Sequence, residues 1–218
     1  LQPLLLAVLG LVIFCCEKPP ELPVTPSITF ESVRFAPGPS GFDSLIVTIG
    51  FQDGDGDLGL TGADNDPPYQ PLNFTRNAQN EFILFGDPEA PEEFHVCDFV
   101  TDLDVTGDEI PDTVYVEINQ NSFNIEVDYF IKRDGQYQEY EWRREFGPFS
   151  CITFDGRYPL LNSAEFERPL AGSLSYTMIS SGFLPIFGND TLQLRVEIKD
   201  RALNISNTVE SPDFVVGQ

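Results

Sequence analysis

Apolar and polar side chains alternate along much of this chain with the two-residue period of β-strands, and nowhere does a 3.6-residue helical period persist over three turns. Residues 191–199 show the cleanest alternation, with Leu192, Leu194, Val196 and Ile198 on one face. Residues 44–51 are rich in β-branched side chains, and residues 27–35 set Ile28, Phe30, Val33 and Phe35 among polar neighbours. The phase slips between Phe30 and Val33, which predicts a bulge. A Pro/Gly turn at 37–41 joins these two strands into an opening hairpin. Residues 123–133 put Phe123, Ile125, Val127 and Tyr129 on one face. Asp134 and Gly135 then form a tight turn, and residues 136–142 return as the partner strand. Residues 113–118, 149–154, 172–178 and 208–216 are further strand candidates. About eight short strands separated by turn signals predict an all-β fold, an immunoglobulin-like β-sandwich.

The pattern breaks between the early strands. From 65 to 93 the periodicity fails and Pro67, Pro68, Pro71, Pro88 and Pro91 appear. Only 81–85, and after it 94–100, look strand-like. Residues 53–112 therefore read as a long Asp/Pro-rich insertion, ordered by packing and metal rather than by a sheet of its own.

Charge sharpens that picture. The chain carries 35 acidic and 12 basic residues, a net charge of −23. Sixteen of the acids and a single base, Arg76, fall between 53 and 112. So acidic a surface excludes a nucleic-acid binder, which needs a basic face, and disfavours docking on anionic lipid. A compact segment with that excess repels itself unless cations neutralise it.

The spacing of the aspartates names the cation. Calcium takes six to eight oxygens, and EF-hand-like loops supply them from positions 1, 3, 5, 7 (a backbone carbonyl), 9 and 12. Counted from Asp53, these are Asp53, Asp55, Asp57, the Gly59 carbonyl, Thr61 and Asp64. Leu58 stands where an EF-hand has glycine and no helices flank the loop, so the nearer analogy is an Asp-rich loop of an extracellular calcium module. The competing reading is a solvated acidic turn. A second set follows at Asp104, Thr106, Asp108, the Ile110 carbonyl and Asp112, with Asp102 as an extra candidate. This set resembles thrombospondin-type and dockerin-type calcium repeats, with Thr106 and Glu109 departing from the pattern. Asp200 and Asn204 are expected to complete the first site if the last hairpin turn lies at the same end of the fold.

The ends suggest export. Residues 1–14 are almost purely apolar and uncharged, too few to span a bilayer, and read as a signal-peptide core. Cys15 and Cys16 follow at once. A cysteine closing such a stretch resembles the lipobox of bacterial lipoproteins, and Cys16, with Cys15 before it and Ile13 at −3, is the better lipidation site. The alternative is an ordinary cleaved secretory signal. Residues 17–26 hold four prolines and read as an extended tether. Cys97 and Cys151, 54 residues apart, could pair in an oxidising compartment, but spacing alone leaves that open.

The stretch 196–207, with its Asp200, Ala202, Asn204 and Ser206, is similar to the closing hairpin of bacterial immunoglobulin-like and fibronectin-type domains. With the Asp loop and the lipobox, the chain resembles outer-membrane lipoproteins of Bacteroidota, a resemblance that implies location and fold but no activity. The expectation is a non-enzymatic, calcium-stabilised accessory or structural subunit of an outer-membrane or surface assembly, held by the lipid, with a protein partner in the envelope. The sole histidine, His95, lies between Phe94 and Val96 and reads as structural. No nucleophile-elbow, zinc-protease or phosphate-loop motif is present. A second reading is glycan binding through Tyr140 and Trp142, which share a strand face with Gln136 and Gln138; the bland alternative makes the pair core.

Overall fold

The computed structural model describes residues 21–162 and 168–217; the apolar leader, Cys16 and residues 17–20 of the tether lie outside them. The chain opens with β1 (Ser27–Ala36) and β2 (Asp43–Asp53), and the insertion contributes β3 (Leu72–Phe74), β4 (Phe99–Leu103) and β5 (Asp112–Ile118). Next come β6 (Ile125–Arg133), β7 (Gln136–Glu139), the one-turn helix α1 (Trp142–Glu145) and β8 (Leu170–Ser180). A second short helix, α2 (Phe183–Phe187), precedes β9 (Thr191–Ile198), β10 (Val209–Glu210) and β11 (Phe214–Val215). The fold is mostly β, in three open sheets ordered β1-β2-β8, β10-β9-β6-β7 with β11 also on β9, and β3-β5-β4.

Local rules account for the long strands. In β2, Leu45, Val47 and Ile49 are fully buried while the residues between them are not. In β9, Leu192, Leu194, Val196 and Ile198 do the same. The register of β1 on β2 shifts between Phe30 and Ser32, so Glu31 is the extra residue of a bulge. Asp134 (φ 50°) and Gly135 (φ 78°) both adopt the left-handed conformation that a tight β6–β7 hairpin requires.

The first two sheets share one core. Inward residues of β2 and β8 pack in a single buried cluster with those of β6 and β9. Tyr129 anchors an aromatic group within it, with ring centroids 5.5 Å from Trp142, 5.6 Å from Phe154 and 5.9 Å from Phe187. Each such ring contributes about 1.5–3 kcal/mol by leaving water.

Four expectations are corrected. The insertion does have its own sheet, β3-β5-β4, and residues 113–118 belong to it rather than to the main sheets. The strand returning from the Asp134–Gly135 turn ends at Glu139; the chain then turns so that Trp142 enters the core, 6 % exposed, with Tyr140 packed on Phe187 at 4.9 Å. Tyr140 and Trp142 therefore form no exposed aromatic strip. Residues 149–154 form no strand, although Phe154 is buried in the core. The closing strand is split in two around Ser211 and Pro212, where the Ser211 hydroxyl takes the Leu194 amide and Pro212 has no N–H to give.

Cys97 and Cys151 are joined in a disulfide, tying the insertion to the segment that follows α1. His95 Nδ1 accepts the Cys97 amide at 3.1 Å, so the imidazole braces the backbone beside that bond.

Candidate metal centre

β2 belongs to one main sheet and β9 to the other, and their ends meet here. β2 stops at Asp53, and the loop beyond it runs to a backbone bridge between Leu58 and Asp200, just past β9. The Arg201 amide donates to the Asp57 carbonyl (3.3 Å), and the Ala202 amide to Asp57 Oδ2 (3.0 Å). One carboxylate oxygen from each of Asp53, Asp55, Asp57 and Asp200 lies within 4.8 Å of the others.

Glycines let other segments crowd onto this loop. A Cβ on Gly54 would sit 2.3 Å from the Leu22 carbonyl oxygen, and one on Gly56 (φ 73°) 2.1 Å from that of Arg168. Their role is close approach as much as turning. The Leu60 amide reaches the Tyr158 carbonyl (3.0 Å) and the Leu161 amide reaches that of Leu58 (3.1 Å), so a third segment closes the cage.

Closure buries Asp53 and Asp200 and half-buries Asp55 and Asp57. Asp53 is fully buried and Asp200 is 2 % exposed. Asp53 Oδ2 accepts the Gly56 amide at 2.8 Å, but Asp53 Oδ1, Asp55 Oδ1 and Asp57 Oδ1 are buried with no hydrogen-bond partner. Two unit negative charges 4.8 Å apart repel by about 3–4 kcal/mol at an effective dielectric of about 20. Burial, then Asp55 and Asp57, push the Asp53 carboxyl up to about 7. Burial, then Asp200, push Asp57 up to about 6, and burial raises Asp200 as well. An all-oxygen, all-carboxylate donor set with unpartnered buried oxygens fits a hard divalent cation, and this Asp cluster could hold a metal ion.

Asn204 lies beside the cluster as a positioning residue: its amide and its Nδ2 donate to the two oxygens of Asp200, each at 2.7 Å. Thr61 and Asp64 reach the rim but are engaged elsewhere. Asp64 accepts the Thr61 amide and hydroxyl at 2.7 Å and takes both terminal nitrogens of Arg201 at 3.0 and 3.1 Å. The guanidinium of Arg201 holds that carboxyl well below the usual range. A Cβ on Gly59 would sit 2.4 Å from the Pro159 carbonyl oxygen.

The second loop is built differently. Asp104 accepts the amides of Gly107 (2.6 Å) and Glu109 (3.0 Å), and Asp108 accepts that of Ile110 (3.0 Å). One oxygen of Asp112 takes the amides of Val105 and Thr106 and the Thr106 hydroxyl. Ile110 is 64 % exposed, and Asp102 points outward from β4. Among the described residues, only the first loop gathers three or more metal-ligating side chains.

One residue that shapes the first loop had no sequence signature. Arg157 donates to four carbonyls, those of Ser122, Thr61, Asp64 and Tyr69, and so fixes the path of 61–69. Its only signal was a basic residue in an otherwise patternless stretch.

Comparison with protein-family models, curated proteins and solved structures returned no match. Among the described residues no helix is long and apolar enough to cross a membrane.

Proposed function

We propose that this protein is a calcium-stabilised, non-enzymatic component of the cell envelope, an immunoglobulin-like β-sandwich tethered to an outer membrane by a lipid on Cys16. In this reading it serves as an accessory or structural subunit of a membrane or surface assembly. The metal part of the reading rests on one observation: three buried carboxylate oxygens with no partner, converging with Asp200. The anchor and the envelope role rest on the apolar leader, the cysteine that closes it and the Pro-rich tether.

A cation at this point binds the end of β2 to the turn after β9. It reinforces the Leu58–Asp200 bridge that joins the end of one main sheet to the other. Calcium is favoured over magnesium because it accepts many carboxylates in irregular geometry, whereas magnesium keeps an octahedron of waters. Extracellular sites of this kind bind at about 0.1–1 mM, so the ion is structural rather than a signal.

The test is thermal unfolding of the chain without its leader, in chelator and in calcium. At ten to a hundred times the dissociation constant, calcium should stabilise the fold by about 1.4–2.7 kcal/mol. For a chain of this size that is a rise of about 3–10 °C. Magnesium should do less. No shift with either ion would remove the metal from the proposal.

A further inference from the structure

Three phenylalanine rings, two on the insertion and one on the segment after α1, lie together at the surface. Phe149 is 82 % exposed and Phe85 46 %. Phe94 lies between them, its ring centroid 6.0 Å from Phe85 and 6.2 Å from Phe149, and stacks on the buried Phe99 at 5.6 Å. The group is held in place: the Val96 amide bonds the Pro148 carbonyl at 2.9 Å, and the Cys97–Cys151 disulfide joins the segments carrying Phe94 and Phe149. Exposed rings in so fixed an arrangement mark a contact surface.

The loop between the first two rings in chain order is one-sided in charge, and Arg76, which lines the groove beside Asp87 and Glu89, gives a terminal nitrogen to the Asn80 carbonyl. The loop from Phe85 to Phe94 presents Asp87, Glu89, Glu92 and Glu93, all exposed, with no lysine or arginine. Arg144 at the border is bound through both terminal nitrogens to Asp98, each at 2.9 Å. An apolar centre with an acidic rim complements an apolar centre with a basic rim. A second copy would set the same acids against one another, and an anionic lipid or nucleic acid has the wrong sign.

We propose that the Phe85–Phe94–Phe149 face is a docking surface for a cationic, amphipathic polypeptide segment. Its apolar side chains cover the rings while its lysines or arginines meet the loop carboxylates. The proposal is independent of the metal reading.

The probe is a short amphipathic leucine/lysine peptide, titrated against the protein and against F149S and E92K/E93K variants whose melting temperatures are checked. The wild type should bind the peptide more tightly than polylysine of equal length, and F149S should weaken it roughly tenfold, as removal of a central aromatic anchor does. E92K/E93K should weaken it too, and added salt should reduce affinity without abolishing it. Polylysine binding as well as the peptide, or F149S binding unchanged, overturns the proposal. Binding to phosphatidylcholine vesicles that F149S abolishes would assign the face to lipid. Self-association of the wild type that F149S abolishes would assign it to a second copy. Either result also overturns the proposal.

Discussion

Two stretches of this chain, 53–64 and 104–112, share ingredients, repeated aspartates among glycine and threonine, at alternate positions 53, 55 and 57 in the first and four residues apart in the second. Their fates differ. In the second, each aspartate turns back on the amides of its own loop, as at Asp104 with Gly107 and Glu109. Such a loop satisfies its carboxylates locally and stays open to water. In the first, outside segments press on the loop: Leu22 on Gly54, Arg168 on Gly56, and Tyr158 on Leu60. Three carboxylate oxygens are buried there without donors. The difference lies in what packs on the loop as well as in the closer spacing of its aspartates. Unsatisfied buried charge is costly, and a cation is the simplest way to offset it.

The sharpest way to break this comparison is an alanine at matched glycines. Gly56 (φ 73°) and Gly107 (φ 79°) have nearly the same backbone, but an added Cβ meets Arg168 at 2.1 Å in one and nothing within 4 Å in the other. G107A should cost about 1–2 kcal/mol, the ordinary penalty for a left-handed alanine. G56A adds displaced backbone to that penalty and should cost about 2–5 kcal/mol in urea unfolding. Equal costs would mean that the first loop is no more crowded than the second.

Next in size is the response to calcium. D55N removes one converging carboxylate and should abolish the calcium-dependent shift, a loss of about 1.4–2.7 kcal/mol at saturation. In chelator the sign should reverse, because the variant relieves repulsion and melts above wild type. D108N in the second loop should leave calcium dependence intact. If D55N and D108N behave alike, the two loops are equivalent and the single-centre reading fails.

Protons act on the same oxygens as the cation. In chelator the carboxyls of Asp53 and Asp57 titrate near about 7 and about 6 in the folded protein, against 3.8 as the ordinary aspartate value. The folded state therefore binds protons more tightly than the unfolded chain. Its stability is greatest below the ordinary value and falls as pH rises through the folded ones. Lowering the pH from neutrality toward 4 should raise the melting temperature in chelator by a few degrees. In saturating calcium the gain should vanish or invert, since protons and the cation compete for the same oxygens. A chelator profile that falls with acid throughout would refute the buried-cluster description.

How much of this was legible depended on whether a feature was local. β2 and β9 follow from period-two alternation because one face of each is buried, and the bulge near Glu31 follows from a slipped phase. The aspartates at 53, 55 and 57 were visible as ligand candidates because alternation is a local property. The insertion's sheet was not, since β3 has three residues, β4 five with an irregular register, and both pair only through β5. Trp142 misled for a related reason. Its alternation with Tyr140 continued the β7 pattern, but packing on Phe154 at 4.7 Å and Phe187 at 5.5 Å draws it out of the strand. Arg157 fixes its loop through backbone carbonyls, which have no sequence signature.

The smallest effect tests the other half of the comparison. D104N keeps one acceptor oxygen but weakens two charge-assisted bonds, those from the Gly107 amide at 2.6 Å and the Glu109 amide at 3.0 Å. Asp104 lies in an exposed loop, so solvent replaces part of what is lost, and the cost should be about 0.5–1.5 kcal/mol. Its diagnostic feature is sameness. A carboxylate that serves only to cap its own turn should cost as much to neutralise in chelator as in calcium. If the D104N penalty instead appears only in calcium, the second loop also gathers a cation. Crowding by outside segments would then not be what separates a metal loop from an acidic turn in this chain.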